Sequence, residues 1–248
     1  MTRAAATAWP PPAHAEAIPG DQLFSGRPLP RARHVLAVIA QPGQESADLG
    51  RLLYAFRRRG ANVGLLSLTR GEVSPLNSTC ERLEEIRPWE LQVAAGLLGI
   101  SSLMVADYAD GALNRYPVPE LTERIRRAIR AHAADLLLVI DPTGSGTADV
   151  GADLHAVARA VCAAGELTGV PVLARMPRAT RYGWHVDLGA DAAPARVVQR
   201  SALAAHASQA RTRAQAQSRS RVQDLVDRQD DREQMRWLIP PRRTPGLG

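Results

Sequence analysis

Apolar and polar residues follow each other along the chain in blocks that predict alternating strands and helices. The apolar runs at 35–40 and 136–140 have the length of buried strands, whereas the segment 46–59 repeats apolar residues at helical spacing and is followed by Gly60. The predicted strands are 35–40, 63–68, 101–106, 136–140, 170–174 and 184–188. The predicted helices are 46–59, 80–98, 119–133, 152–164 and 194–207.

This alternation predicts an α/β fold with a Rossmann-like, mostly parallel sheet flanked by helices. Repeated strand, helix, strand units require right-handed crossovers that place helices on both faces of the sheet. Loops that follow parallel strands meet at one edge of the sheet, where α/β proteins bind their ligands. Here those loops begin at Gln41, Thr69, Asp107 and Asp141.

The chain divides into three predicted regions. Residues 1–33 are rich in Ala and Pro without periodicity, which predicts a disordered arm. Residues 34–209 form the predicted α/β domain. Residues 210–248 are an Arg/Gln-rich extension, predicted as helical or partly disordered, in which Trp237-Leu238-Ile239-Pro240-Pro241 is interpreted as a docking tail.

Charge and composition exclude several functional classes. All 31 basic residues are arginine, and with 25 acidic residues they give a formal net charge of +6. Without lysine the chain cannot use a Schiff-base or P-loop lysine. The arginines are dispersed and lack interleaved aromatic residues, so no nucleic-acid partner is predicted.

Cysteine usage and hydropathy predict a cytoplasmic protein. Cys80 and Cys162 are far apart and form neither a disulfide framework nor a metal-binding pair. No apolar signal region is found near the start, and no run approaches the ~18 apolar residues of a membrane span. No membrane partner is therefore predicted, and the sequence sets no oligomeric state.

Several short motifs stand in a recognisable order at the predicted strand ends and helix starts. They are Thr69-Arg70-Gly71-Glu72, Ile86-Arg87-Pro88-Trp89-Glu90-Leu91, Asp110-Gly111-Ala112-Leu113, Asp141-Pro142 and Ala202-Leu203-Ala204-Ala205-His206-Ala207-Ser208-Gln209. Together they resemble the LmbE-like, or PIG-L, family of zinc-dependent N-acetylglucosaminyl de-N-acetylases, which includes deacetylases and amidases of mycothiol and bacillithiol metabolism. The resemblance runs from about residue 34 to residue 209 and implies the LmbE/PIG-L de-N-acetylase fold.

The first motif of this family is His-Pro-Asp-Asp-Glu, in which the His and the second Asp bind zinc and the first Asp is the general base. The corresponding residues here are Gln41, Pro42, Gly43, Gln44 and Glu45. The resemblance therefore implies that two amides replace the two ligands and that a glycine replaces the base.

The second family motif, His-Pro-Asp-His, supplies an oxyanion-stabilising His and the third zinc ligand. The ungapped match places Gly151, Ala152, Asp153 and Leu154 there. His155 lies one residue beyond the ligand position, a rotation of about 100° on a helix, and a one-residue gap would bring it back.

Zinc binds imidazole, thiolate or carboxylate, and a catalytic site uses three such ligands and a water. Two amides and a leucine do not form that set, so we predict no bound zinc, no other cofactor and no intact catalytic residue. The polar residues that remain as candidates for a pocket are Glu45, Arg70, Arg87, Asp110, Asp141, Asp153, His155 and His206.

Most of these candidates have a structural interpretation beside the functional one. Asp141 can orient the loop that follows it, and His206 is typical of a satisfied structural histidine. Glu45 can accept hydrogen bonds in the first turn of a helix. Arg70 and Arg87 can pair with Glu72, Glu84, Glu85 or Glu90, or hold a sugar hydroxyl or an anion.

Three functions are compatible with these residues. The leading hypothesis is a pseudoenzyme that binds a ligand related to N-acetyl sugars or thiol conjugates, or a protein partner. The alternative is an active de-N-acetylase or amidase with a metal site rebuilt from His155 and Asp153. The third is an interaction module whose working surface is the C-terminal Arg/Gln segment.

Overall fold

A seven-stranded sheet organises the computed structural model, which describes residues 26–73, 82–143, 148–177, 183–210 and 232–242. The strands are β1 His34–Ile39, β2 Asn62–Thr69, β3 Ser102–Tyr108, β4 Leu136–Ile140, β5 Val172–Arg175, β6 Trp184–Asp187 and β7 Arg232–Ile239. They lie in the order β3-β2-β1-β4-β5-β7-β6. β1 to β5 are parallel, and β7 is antiparallel to both of its neighbours. The predicted α/β class, with a mostly parallel sheet, is confirmed.

Helices cover the two faces of this sheet. They are α1 Gln44–Ala47, α2 Gly50–Arg58, α3 Leu83–Leu98, α4 Val118–His132, α5 Ala148–Thr168 and α6 Ala192–Ala205. One apolar cluster joins α2, α3 and α6 to the sheet, and a second cluster joins α4 and α5 to the opposite face. Because both faces are covered, the central strands are buried and almost entirely aliphatic, as parallel strands usually are.

The helix predicted over 46–59 is wrong as a single element, because the chain forms α1 and α2 with a break between them. The amide Nε2 of Gln199, on α6, donates to the carbonyl oxygens of Ser46 and Ala47, each at 3.0 Å. Gly50 leaves room for this side chain, since a Cβ there would lie 3.0 Å from Cγ of Gln199. A contact more than a hundred residues away in sequence therefore ends α1.

The predicted domain limits are wrong at both ends. Arg232–Ile239, assigned to the extension, is strand β7 inside the sheet, and its Trp237 packs on Trp184 with ring centroids 5.8 Å apart. Trp237 is thus part of the fold rather than of a docking tail. Before β1, Arg27 bridges to Val186 and Leu29 is buried. The rest of the predicted arm, 1–25, and the extension segments 211–231 and 243–248 lie outside the described residues.

None of the helices in the described ranges is long and apolar enough to cross a membrane. Cys162 is a free thiol on α5, and burial raises its pKa to about 12. A thiol that stays protonated at neutral pH is a poor nucleophile. Cys80 lies outside the described residues.

Candidate functional site

The loop between β1 and α1 lies at the carboxyl edge of the sheet, and Gln44 folds back onto it. Its Oε1 accepts the backbone N–H of Ala40 at 2.9 Å and that of Gln41 at 3.3 Å. Gly43 has a φ of 101°, a left-handed value that favours glycine, and this turn starts α1. The oxygen of Gln44 therefore closes the end of β1 instead of facing outward.

The side chain of Gln41 faces Asp110 across the same edge. With its amide nitrogen toward the carboxylate, Gln41 donates to Oδ1 of Asp110 at 2.9 Å and to Oδ2 at 3.2 Å. Oδ2 also accepts the N–H of Val73 at 3.1 Å. Burial raises the pKa of Asp110, an effect that the bond from Val73 opposes. The hydrogen bonds between the amide of Gln41 and the carboxyl group of Asp110 thus connect two loops at this edge of the sheet.

Glu45 and His206 form the most enclosed contact of the site. Nε2 of His206 lies 2.6 Å from Oε1 of Glu45, and both side chains are at most 1% exposed. Ser46 Oγ donates to the same oxygen at 2.6 Å, and the N–H of Gly43 donates to Oε2 at 2.7 Å. Burial opposes the ionised form, but the bonds from His206, Ser46 and Gly43 together hold the pKa of Glu45 below its ordinary 4.5. Glu45 thus ties the loop to the end of α6.

The two candidate arginines have different surroundings. Arg70 Nε pairs with Oδ1 of Asp107 at 2.5 Å, with both side chains well exposed, and not with one of the four predicted glutamates. Arg87 is buried and donates from Nη1 to the carbonyl oxygen of Gly71. Burial raises the pKa of Asp110 overall, and the positive charge of Arg87 opposes that rise.

The side chains of the second motif, at 151–154 on α5, point in different directions. Asp153 is buried, and its Oδ1 accepts the N–H of Leu113 at 2.9 Å. Burial raises the pKa of Asp153, and the nearby charge of Asp110 raises it further. Leu154 is buried in the apolar cluster formed with α2 and α3, and Gly151 is buried without a side chain.

His155 lies on a different side of α5 from Asp153, because a step of two residues along a helix rotates the side-chain direction by about 200°. It is partly buried; burial lowers its pKa and the charge of Asp141 opposes that change. Asp153 and His155 therefore do not converge on one point.

Asp141 orients its own loop and binds a residue that the sequence did not suggest. Oδ1 accepts the N–H of Thr143 at 2.8 Å and also its hydroxyl. Oδ2 accepts a bond from Nε of Arg236, which is on β7. The bonds to Thr143 orient the loop, which is one of the two interpretations of Asp141 from the sequence, and the bond from Arg236 was not expected.

A buried ionic network links β7 to the rest of the sheet edge. Glu233 Oε1 lies 2.6 Å from Nη2 of Arg51, and Oε2 lies 3.3 Å from Nε of Arg175. Arg175 also pairs with Asp48 at 3.2 Å. The only signal for this network in the sequence is the placement of Arg51 among the apolar residues of α2.

The donors at the positions implied for zinc do not fit that ion. The oxygen of Gln44 is used by two backbone amides, Gln41 faces Asp110, and Leu154 is apolar. Neutral amides are also weak zinc ligands. In the ranges that the structure describes, no group of three or more His, Cys, Asp or Glu side chains has an arrangement that could hold a metal ion.

Comparison with known proteins places this fold and loop in a family. The family model described as GlcNAc-PI de-N-acetylase, PIG-L, matches residues 36–164, more than half of the chain. The chain belongs to the PIG-L family. It is 31% identical over 134 residues to the probable N-acetyl-alpha-D-glucosaminyl L-malate deacetylase 2 of Bacillus anthracis. That match covers 52% of this chain and 59% of the relative, so it spans little more than half of the relative's length.

Solved structures with the same fold include deacetylases. The conserved protein TT1542 from Thermus thermophilus has a TM-score of 0.64 at 20% identity, over 86% of this chain and 97% of that one. The zinc-inhibited form of the teicoplanin deacetylase Orf2 has a TM-score of 0.60 at 14% identity, covering 82% and 96%. The N,N'-diacetylchitobiose deacetylase from Pyrococcus horikoshii has a TM-score of 0.62 at 16% identity, covering 78% and 77%. At these identities the likeness shows the PIG-L fold of the chain.

Proposed function

We propose that this PIG-L-family chain no longer carries out zinc-dependent deacetylation and acts by binding. The single observation that carries the proposal is Gln44, whose side-chain oxygen accepts the N–H groups of Ala40 and Gln41 at the end of β1. Because this oxygen already accepts two backbone hydrogen bonds, it is not placed to bind a metal ion. The amide at this position serves to stabilise the loop.

The position of the general base supports the same proposal. Gly43 has no side chain, so it cannot take the proton that the aspartate of the family motif would accept. Amide hydrolysis requires both an activated water and a group that takes its proton. Glu45, the next carboxylate, is buried against His206 and already accepts three hydrogen bonds.

The proposed ligand is a sugar or thiol conjugate related to the substrates of the family, or a protein partner, in the cytoplasm. Gln41 is partly exposed and faces Asp110, and Arg70 is exposed and pairs with Asp107. An amide, a guanidinium and a carboxyl suit the hydroxyl and amide groups of an N-acetyl sugar. The alternative, a working hydrolase with a site rebuilt from His155 and Asp153, is weakened because Asp153 is bonded to the N–H of Leu113.

Purified protein is expected to release no acetate from N-acetylglucosaminyl compounds, with or without added zinc. The reason is that the loop offers neither three metal ligands nor a base. Acetate is measured by a coupled assay, with the Bacillus anthracis deacetylase tested in parallel. Saturable binding of the same compounds without turnover, measured by calorimetry, is the expected companion result.

Turnover that disappears on chelation and returns with zinc would overturn the proposal in favour of the rebuilt hydrolase. A matched control is Asp153→Asn. If Asp153 only accepts a backbone hydrogen bond, this change leaves binding of the N-acetylglucosaminyl compounds unaltered. If Asp153 is instead a metal ligand of a rebuilt site, the change abolishes zinc-dependent turnover.

A further inference from the structure

The outward face of α3 is apolar from Trp89 to the end of the helix, apart from the uncharged polar residue Gln92. Trp89, Val93 and Leu97 are 65%, 39% and 47% exposed in the described part of the chain. Their spacing of four residues places them on one side of the helix. The opposite side contains the buried residues Leu91, Ala94, Ala95 and Leu98.

Nothing charged interrupts this face between Glu85 and the end of the helix. The other outward positions are Gln92 and Gly96, and a Cβ on Gly96 would meet no atom within 4 Å. By contrast, the outer side of α4 has Glu123 within 4 Å of three arginines. A surface helix normally has charged residues on its solvent side, and a contiguous exposed apolar patch marks an interaction site.

We propose that this face, made of Trp89, Val93 and Leu97, binds the same face of a second copy of the chain. The stripe is close to symmetric about Val93. In an antiparallel pairing with its two-fold axis at Val93, Trp89 of one copy lies at the level of Gly96 and Leu97 of the other. The indole ring of Trp89 in one copy thus lies next to Gly96 of the other copy, which has no side chain.

Charge at the two ends of α3 favours the antiparallel arrangement. The first turn has Glu84 and Glu85, with Arg82 bound to Glu85 at 2.5 Å on the exposed surface, so this end is net negative. At the other end the guanidinium of Arg57 lies against Gly99, because a Cβ built there would overlap its Nε. Two-fold pairing brings each acidic end next to the Arg57 end of the other copy.

Analytical ultracentrifugation of the full chain over about 1 to 200 μM is expected to show a reversible dimer with a Kd on the order of micromolar. Val93→Arg places two like charges at the axis and is expected to raise the Kd by at least about tenfold. Leu167→Arg is the matched control, since Leu167 is 66% exposed on α5 and lies outside the stripe. It is expected to leave the Kd unchanged.

The charged ends give a test that does not depend on the apolar stripe. Glu85→Arg and Arg57→Glu are each expected to raise the Kd about threefold or more, because each change occurs twice in a symmetric dimer. The double variant exchanges the charges and is expected to restore the Kd to within about twofold. A chain that stays monomeric throughout the range, or a dimer that Val93→Arg and Leu167→Arg affect equally, overturns the proposal.

Discussion

Replacing Glu233 by alanine is expected to lower the free energy of unfolding by about 3–5 kcal/mol. The change leaves the guanidinium of Arg51 and that of Arg175 in the interior without the carboxylate that lies 2.6 Å and 3.3 Å from them. A buried cation that loses a carboxylate at ion-pair distance is destabilised, because water does not reach the site to replace the lost interaction. Urea denaturation at neutral pH measures the loss.

Glu123 is the matched control for this experiment. It also lies within 4 Å of arginine side chains, those of Arg126, Arg127 and Arg130, but all are exposed. Glu123→Ala is expected to cause a much smaller loss than Glu233→Ala, because exposed ion pairs contribute little. Equal losses for the two variants would show that β7 is not held by its buried network.

Replacing Glu45 by alanine is expected to cost about 3 kcal/mol at neutral pH, since it leaves the N–H of Gly43, the hydroxyl of Ser46 and Nε2 of His206 without their acceptor. Glu45→Gln keeps the shape and an acceptor but not the charge, so a smaller loss is expected. Chemical denaturation of the three proteins gives the differences.

The pH dependence of this contribution has a definite sign. The pKa of Glu45 is below its ordinary 4.5 in the folded state, so the folded chain binds fewer protons than the unfolded one as the pH falls past 4.5. The advantage of wild type over Glu45→Gln is therefore complete above that pH and lost as the pH falls through the folded-state pKa. An advantage that grows on acidification would contradict the ionised Glu45 and His206 contact.

The sequence was sufficient for the α/β class because its signal is local. The central strands β1 and β4 are mostly aliphatic runs of six and five residues, and the longer helices repeat apolar residues over several turns. The structural interpretation of Asp141 also rests on local chemistry, since its partner Thr143 is two residues away.

The parts that the sequence could not provide depend on contacts between distant residues. β7 mixes Glu233, Gln234 and Arg236 with apolar residues, so it has no period-two pattern and resembles its polar surroundings. Its charges are tolerated inside because Arg51, Arg175 and Asp141 meet them there. The break between α1 and α2 depends in the same way on Gln199.

The candidate site could be predicted only in part from the sequence. The substitutions at Gln41, Gly43 and Gln44 are visible in the sequence, but only the fold shows that Gln44 closes β1 and that Gln41 faces Asp110. Arg70 pairs with Asp107 and Arg87 donates to the carbonyl oxygen of Gly71, two contacts that the sequence alone does not indicate.

The central claim is that the side chains of the loop after β1 stabilise the loop itself and do not bind zinc. Zinc titration tests this claim most directly. Calorimetric titration of metal-free protein, with elemental analysis of the protein as purified, is expected to show no stoichiometric zinc. The control is the variant that combines Gln41→His, Gly43→Asp, Gln44→Asp and Leu154→His, checked for a retained fold by circular dichroism. Zinc binding by that variant alone is the predicted result; one tightly bound zinc per wild-type chain would contradict the account.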